Sequence, residues 1–192
     1  EITAGLENNG GRHVGARLGG TLADGLSGRM AFQQFQSDGF VNNQWLDRDD
    51  TNQRDELTGR AALRWQAAKH ALEVAAYYTD IDNGYDAFSL DNTRSTLSDE
   101  PGEDDLTLKA ARLNWDYRGN AYKSLLQMSH AKTLSTYSYD EDWSYVGIAP
   151  GWEYSSFDQY CRDRSMSSAE WRLLSDTPTP NTWALGVYVR KE

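Results

Sequence analysis

Three aspartates flank a glycine in the segment TDIDNGYDAFSLDN, where they occupy positions Asp80, Asp82 and Asp86. Calcium takes several oxygen ligands, and its binding loops use a glycine at the sharp turn, so this spacing raises a calcium site as a first hypothesis. The EF-hand pattern does not fit, because counting from Asp80 the glycine comes one position early and Asp91 replaces the glutamate of the twelfth position. The acids are therefore interpreted mainly as solvating charge of a loop, calcium stays a minor alternative, and no metal site is predicted.

Catalytic residue patterns are missing from the sequence. There is no G-x-S-x-G motif, and the single cysteine, Cys161, lies in the polar segment DQYCRDR without a neighbouring histidine. Paired carboxylates are abundant in 47–56 and 99–105, but a glycosidase needs its two acids on a rigid frame, and these segments are predicted to be loops. The histidines fall on separate strands or turns, at positions His13, His70 and His130. We predict no catalytic residues, no cofactor and no enzymatic activity.

Aromatic residues crowd into the segment 137–163, which the polar composition predicts to be a long loop. Exposed rings supply a large contact area and stack on ligands, which favours a recognition surface. The equally supported alternative is that the rings pack on one another to hold the loop in shape. The candidate ligand-binding residues are Tyr137, Tyr139, Trp143, Tyr145, Trp152 and Tyr154.

The elements that must position these residues are β-strands. Apolar and polar residues alternate with a period of two wherever the sequence is regular, and helical patterns with caps are missing. Nine candidate strands lie near residues 2–7, 13–18, 26–33, 60–67, 72–78, 106–117, 121–134, 166–176 and 182–190. Short turns at 23–25, 68–70, 118–120 and 177–180 alternate with long polar segments at 41–56, 82–104 and 139–164. The sequence therefore predicts an all-β antiparallel up-and-down meander with short turns at one end and long loops at the other.

The two faces of the predicted strands differ in chemistry. Five aromatic residues lie near the short turns on the apolar side of their strands, as in the aromatic girdle of a membrane barrel: Trp65, Trp115, Tyr117, Tyr122 and Trp183. The other face carries the charged residues Arg17, Arg29, Arg60, Arg64, Glu73, Arg112, Asp116, Lys123, Glu170, Arg172 and Arg190. Either a barrel lumen or the solvated side of a soluble sandwich would have this composition, so the faces alone leave both folds open.

Composition limits the partners. The formal net charge of −10 argues against a nucleic-acid partner, which needs clustered Lys and Arg. The mean hydropathy of −0.75, with no apolar run of about 18 residues, excludes a helical membrane protein but not a membrane barrel, whose strands alternate. Both chain ends lack the features of natural termini, which predicts an internal piece of a longer protein.

Several stretches resemble the barrel of TonB-dependent outer-membrane receptors. They are LGGTLADGLSGRMAFQ (18–33), FQSDGFVNN (35–43), RDELTGRAALRWQ (54–66) and YYTDIDNGYDAFSLDN (77–92). In the last of these, a strand from Leu72 is expected to leave the membrane near Tyr78 and to turn at Asn83-Gly84 into an external loop. The similarity rests on strand and turn patterns spread along most of the chain.

The resemblance implies the location, partners and function of the protein. It implies a receptor in the outer membrane of a Gram-negative bacterium, with short periplasmic turns, outer-membrane lipid around the barrel, and a small ligand such as a metal chelate. The function implied is uptake of a scarce nutrient, most often a ferric siderophore, driven by the TonB complex through a plug domain. Residues 1–192 then form part of the barrel domain, without the plug and the C-terminal strands. The alternative is a soluble β-rich domain that binds carbohydrate or hydrolyses glycosides.

Overall fold

The computed structural model describes residues 1–177 and 181–192. Strands account for all of the regular structure in these ranges, and no helix among them is long and apolar enough to cross a membrane. The strands are β1 (Ile2–Leu6), β2 (Arg12–Ala23), β3 (Leu26–Ser37), β4 (Asn42–Asn43), β5 (Arg54–Ala67), β6 (His70–Tyr85), β7 (Ser95–Thr96), β8 (Gly102–Arg118), β9 (Tyr122–Asp140), β10 (Phe157–Ser175) and β11 (Ala184–Lys191).

Nine of these strands form one antiparallel meander in the order β1-β2-β3-β5-β6-β8-β9-β10-β11, which confirms the predicted fold class and number of strands. The two short strands, β4 and β7, pair in parallel with each other and were not predicted. They lie inside two of the long connections, where polar sequence gave no alternation to detect.

The connections alternate in length as predicted. At one end, called the short-turn end below, β2–β3, β5–β6 and β8–β9 are joined by two or three residues. Gly25 supplies a backbone φ of +67° in the first of these turns, and a Cβ there would lie 2.3 Å from the Gln66 carbonyl oxygen. The fourth predicted turn, 177–180, falls mainly outside the described residues.

At the opposite end, called the loop end, three long connections join the strands. They are L1 (38–53), L2 (86–101) and L3 (141–156). The connection between β1 and β2 also lies at this end but spans only 7–11.

The strands extend further toward the loop end than the sequence predicted. The expected turn at Asn83-Gly84 is wrong, because β6 continues to Tyr85, which pairs with Gly102 of β8. The Asn83 amide also bridges to β5: its Oδ1 accepts from the Asp55 backbone N–H at 3.0 Å, and its Nδ2 donates to Glu56 at 3.2 Å. Backbone pairing therefore persists where the apolar alternation has stopped.

Cys161 and the ends of the predicted aromatic loop are corrected in the same way. Cys161 lies in β10 and not in a loop, and the loop predicted over 137–163 is shortened to 141–156 by β9 and β10. Both strands have 19 residues, whereas a membrane-crossing strand needs about 9–11.

The strand register separates two faces. One cross-strand row contains Leu26, Trp65, Leu72, Trp115, Leu126, Trp171 and Val187. Because partners in a row share a face and side chains alternate along each strand, this row defines an apolar face. Its side chains are not covered by a second layer among the described residues: Leu63 is 54% exposed and Val187 is 58% exposed.

The opposite, polar face carries all eleven charged residues that the sequence assigned to one side, as the register rows show. Some of them pair across or along the strands. Arg112 on β8 donates to Glu73 on β6 at 2.7 Å, and Arg172 donates to Glu170 at 2.6 Å. Only Val41 and Ala75 are buried apolar residues in the described part of the chain, so this sheet has no core of its own.

Candidate ligand-binding site at the loop end

A buried carboxylate, Asp86, ties L1 to L2. One of its oxygens, Oδ2, accepts hydrogen bonds from Asn43 Nδ2 at 2.9 Å, Thr51 Oγ1 at 2.7 Å and Thr96 Oγ1 at 2.8 Å. All four side chains are at most 4% exposed. Hydrogen bonds to a charged acceptor are stronger than hydrogen bonds between neutral groups, and burial removes the competition from water. We call these four residues the Asp86 node.

The backbone reinforces the Asp86 node. Asn43 and Thr96 pair in the parallel β4–β7 bridge, and the Gln44 N–H donates to the Thr96 carbonyl at 2.9 Å. The Asn43 amide also donates to the Ser98 carbonyl at 2.8 Å. L1 and L2 therefore form one structural unit.

L3 is shaped by two aspartates and docks on that unit. The Asp140 carboxylate accepts from the Trp143 backbone N–H at 3.1 Å, while Asp142 accepts from the Ser156 N–H at 3.0 Å and so closes the base of the loop. Burial raises the pKa of Asp140 above its ordinary value. A hydrogen bond from the Asp99 N–H to the Ser144 carbonyl, at 3.1 Å, joins L3 to L2.

Aromatic stacking completes the assembly of the loops. Trp45 of L1 lies parallel to Tyr145 of L3, with ring centroids 3.8 Å apart, and Phe88 of L2 stacks on Trp143 of L3 at 4.9 Å. The sequence interpretation in which the rings hold the loops in shape therefore applies to Trp143 and Tyr145. Trp152 and Tyr154 also lie in L3, where they are 47% and 55% exposed.

Below the loops, tyrosines and aspartates alternate on the polar face. One row contains Asn83, Asp104, Tyr137 and Tyr160, and on the next row toward the loops Tyr139 pairs with Asp158. Asp158 accepts hydrogen bonds from the Tyr139 hydroxyl at 3.0 Å and the Tyr160 hydroxyl at 3.3 Å. The hydrogen bond from Tyr139 to Asp158 raises the pKa of Tyr139 to about 12, so the Tyr139 phenol stays protonated at neutral pH.

The rings of this wall touch one another and reach the loops. Tyr137 packs edge-on against Tyr85 with centroids 5.0 Å apart, and Phe88 packs edge-on against Tyr139 at 5.7 Å. The interaction with the Tyr85 hydroxyl raises the pKa of Tyr137. Tyr160 stacks loosely on Tyr137 at 6.5 Å and remains 47% exposed, so part of its ring faces solvent. We call this set the aromatic wall: Tyr85, Phe88, Tyr137, Tyr139, Trp143 and Tyr160.

The structure thus brings together three of the six predicted ligand residues, Tyr137, Tyr139 and Trp143, and adds others that the sequence analysis did not select. Tyr85 and Phe88 lie in the acidic segment that was examined for calcium, and their ring positions were not considered there. No alternation marked Tyr85, because the residues around Asn83 are polar on both faces. Phe88 gave no such signal, because its position depends on how L2 folds.

The three aspartates of the calcium hypothesis do not converge. Asp80 and Asp82 lie on β6 with their side chains on the apolar face, where Asp80 accepts from Thr107 Oγ1 at 3.0 Å. Asp86 belongs to the Asp86 node. No group of three or more potential metal ligands occurs in the described residues.

An acidic group lies on the apolar face beyond its apolar side chains, toward the loop end. Asp105 pairs with Asp82 in the register and neighbours Glu103 along the strand. Burial first, and then the charges of Glu103 and Asp82, raise the pKa of Asp105 to about 6. Ionisation of Asp105 is therefore unfavourable in the folded state.

Replacing Asp105 with Asn should stabilise the protein above pH 6 by about 0.5–1 kcal/mol, a value reduced for solvent screening. The folded-state pKa lies above the ordinary value, so the stability linked to the Asp105 proton is complete below pH 4 and is lost as pH rises through 6. Thermal unfolding at pH 4 and pH 8 measures this difference in stability. Asp104→Asn, on the polar face, is the control, and an equal effect of Asp105→Asn at both pH values would contradict the prediction.

At the short-turn end, the five predicted girdle residues lie on the apolar face. Trp115 and Tyr117 have ring centroids 6.3 Å apart, and Tyr117 lies 5.7 Å from Tyr122. Trp65 is 42% exposed and Trp183 is 52% exposed. Trp171 belongs to the same row as Trp65 and Trp115 and was missed, although its alternation with Ala169 and Leu173 already placed it on this face.

No protein-family model matches the sequence, and a search of curated proteins found no match. Solved structures do match. The ferric yersiniabactin uptake receptor FyuA from Yersinia pestis is 15% identical, with a TM-score of 0.77 over 98% of this chain and 30% of its own. FpvA of P. aeruginosa in a complex with a heterologous pyoverdine is 14% identical, with a TM-score of 0.69 over 98% of this chain and 26% of its own.

A third structure, the complex of FpvAI with pyocin S2, is 13% identical and has a TM-score of 0.68 over 98% of this chain and 27% of the other. This chain therefore spans between a quarter and a third of the length of these receptors. Its nine-stranded meander has the fold of a segment of the transmembrane β-barrel of TonB-dependent receptors.

Proposed function

We propose that residues 1–192 form part of the barrel of a TonB-dependent receptor in the outer membrane of a Gram-negative bacterium. The receptor would take up a scarce nutrient in the form of a metal chelate, with a ferric siderophore as the first candidate. The match to FyuA, an uptake receptor for ferric yersiniabactin, and to FpvA in complex with an iron-loaded pyoverdine supports this class of ligand. The plug and the remaining barrel strands would come from the rest of a longer chain, and the plug would contact the TonB complex.

The aromatic wall is the observation that carries the proposal. Its tyrosines lie on the polar face, which would be the lumen side of a barrel, near the loop ends of their strands, and its other two rings, Phe88 and Trp143, belong to L2 and L3. L1, L2 and L3 meet above it and are joined by the Asp86 node and by ring stacking. A ligand entering between the loops would meet the exposed ring of Tyr160 and the phenols of the wall, which offer stacking surface and hydrogen bonds.

L3 would supply further contacts. The exposed rings of Trp152 and Tyr154 are proposed as an outer capture surface, and Trp143 and Tyr145 as supports that fix the loop above the wall. No catalytic residues are proposed, which agrees with the similarity to transport receptors.

The soluble carbohydrate-binding or glycoside-hydrolysing alternative is less well supported. A soluble sandwich would cover its apolar face with a second sheet, and no second layer covers this face in the described residues. Cell fractionation separates the two hypotheses. The full-length protein should sediment with outer membranes and show heat-modifiable gel mobility, and a monodisperse protein that needs no detergent would contradict the receptor proposal.

Replacing Tyr160 with Ala in the full-length receptor should weaken binding of its metal chelate by tenfold or more, which corresponds to about 1.4 kcal/mol. The matched control is Phe157→Ala. Phe157 lies three residues away on β10 and is 41% exposed, close to the 47% of Tyr160, but it lies on the apolar face. Binding is measured by tryptophan fluorescence quenching with a panel of ferric hydroxamate, catecholate and phenolate chelates. Equal losses in both variants, or no loss in Tyr160→Ala, would argue against the aromatic wall as the binding site.

A further inference from the structure

A cavity opens on the apolar face at the short-turn end, far along the strands from the aromatic wall. Its volume is about 480 Å³, which is within the range of small-molecule sites. Five aromatic residues surround it, from three strands and the segment before β11: Trp115, Tyr117, Tyr122, Trp171 and Trp183. His70 and Leu173 complete its sides, and Ser124 lies among the aromatic residues.

We propose that this cavity binds the headgroup of one phospholipid, and that this headgroup ends in a primary ammonium. The lipid would lie in the leaflet at the short-turn end, with its acyl chains along the apolar face. The inference rests on the membrane location proposed above and adds a lipid site to it.

The cavity exists because a small residue stands among large ones. Ser124 on β9 pairs with Tyr117 on one side and Leu173 on the other. It is 5% exposed, so the larger side chains around it shield it and it forms the floor. Trp171 is held over this floor, because its indole N–H donates to Ser124 Oγ at 2.8 Å.

The walls suit a cation better than an anion. The faces of Trp and Tyr rings carry negative electrostatic potential, and several rings arranged around a space bind ammonium groups by cation–π attraction. His70 extends the ring system, with its centroid 5.9 Å from Trp115 and 5.0 Å from Tyr117. No Lys or Arg is among the lining residues, so no fixed cation competes inside the cavity.

The apolar face beside the cavity supplies a place for the rest of a phospholipid. The cross-strand row of Trp115 and Trp171 also contains Leu72, Leu126 and Val187, against which acyl chains would pack.

The test compares two lipids that differ only in the headgroup. The full-length receptor, purified in detergent, is mixed with equal amounts of dioleoyl phosphatidylethanolamine and dioleoyl phosphatidylglycerol, and bound lipid is counted by native mass spectrometry. The wild-type protein should retain phosphatidylethanolamine over phosphatidylglycerol by about five- to tenfold at one site. Equal retention of the two lipids, or a preference for phosphatidylglycerol, would overturn the proposal.

Two tryptophans of the same cross-strand row provide a matched pair of variants. Trp171 and Trp65 are both 42% exposed, but only Trp171 lines the cavity. Trp171→Ala should abolish the headgroup preference, whereas Trp65→Ala should keep it. Equal losses in the two variants would mean that the preference does not depend on the cavity, and would overturn the proposal. Ser124→Leu, which fills the floor and removes the acceptor of the Trp171 indole N–H, should also abolish the preference. A receptor that resides in the outer membrane and binds its chelate but shows no headgroup preference contradicts this inference alone.

Discussion

Replacing Leu63 with Arg in the full-length barrel should lower its free energy of unfolding in bilayers by about 2–4 kcal/mol. Leu63 lies on the apolar face of β5, is 54% exposed in this chain, and pairs with Gly28 on one side and Val74 on the other. In the proposed receptor, this face contacts lipid, and a guanidinium near the bilayer midplane loses its hydration. Leu185→Arg on β11, two residues after Trp183 and nearer the short-turn end, should have the same sign and a smaller size.

The control for Leu63→Arg is Thr58→Arg on the same strand. Thr58 is exposed and lies on the polar face between Gln33 and Thr79, so an added guanidinium there would stay in the hydrated lumen. Its cost should be within about 0.5 kcal/mol. Unfolding by guanidinium chloride in lipid vesicles measures both variants. Similar stabilities for the two variants would show that the apolar face does not contact lipid.

The sheet was predictable from the sequence because its signal is local. A period of two assigns each residue to a face independently of the partner strand, which is why Arg60, Arg64 and Trp65 were placed correctly. Short turns with Gly25 or Lys69 gave the pairing of neighbours. The strand ends were missed for the converse reason: near Asn83 and Cys161 the residues are polar on both faces, and only pairing with the neighbouring strand keeps them extended.

The candidate site was less predictable because its contacts join distant segments. The aromatic residues of L3 were recognised by their number, but the stack of Trp45 on Tyr145 joins residues that are 100 positions apart. Asn43 and Thr96 in polar loops look like surface residues in the sequence and are buried in the structure. No periodicity marks such a contact, since it arises only when three loops fold against one another.

The total charge of the chain can be read from its composition, but the place of that charge in the fold cannot. The loop-end connections, L1 to L3 together with 7–11, contain twelve Asp and Glu against two Arg, so they account for the whole net charge of −10. The strands and short turns are neutral in sum, although the polar face holds most of the arginines. Composition alone reported an acidic protein, whereas the topology assigns the acidity to one end. This distribution keeps the loops hydrated while the Asp86 node uses one of their carboxylates as a structural acceptor.

Replacing Asp86 with Ala should lower the local stability of L1 and L2 by about 3–5 kcal/mol. The change leaves the hydroxyls of Thr51 and Thr96 without their acceptor and removes one of the two acceptors of the Asn43 amide, all in a region that excludes water. Hydrogen exchange measures the effect directly, since the Gln44 and Asn42 amides each donate across the L1–L2 contact and should exchange about a hundredfold faster or more. Chelate binding should weaken in parallel, because both loops lie above the aromatic wall.

Two further variants separate the Asp86 node from a general effect of loop charge. Asp86→Asn keeps an oxygen for the three donors but loses the charge and replaces the other oxygen with an NH₂ group, so we expect it to cost about 1 kcal/mol, less than half of the alanine effect. Asp91→Ala removes an exposed carboxylate from the same loop, where it accepts from Thr93, and should change exchange at Gln44 by less than a factor of about three. If Asp91→Ala and Asp86→Ala accelerated exchange equally, acidity of the loop rather than the buried carboxylate would hold L1 to L2. If neither did, ring stacking on L3 would be sufficient to keep the loops together.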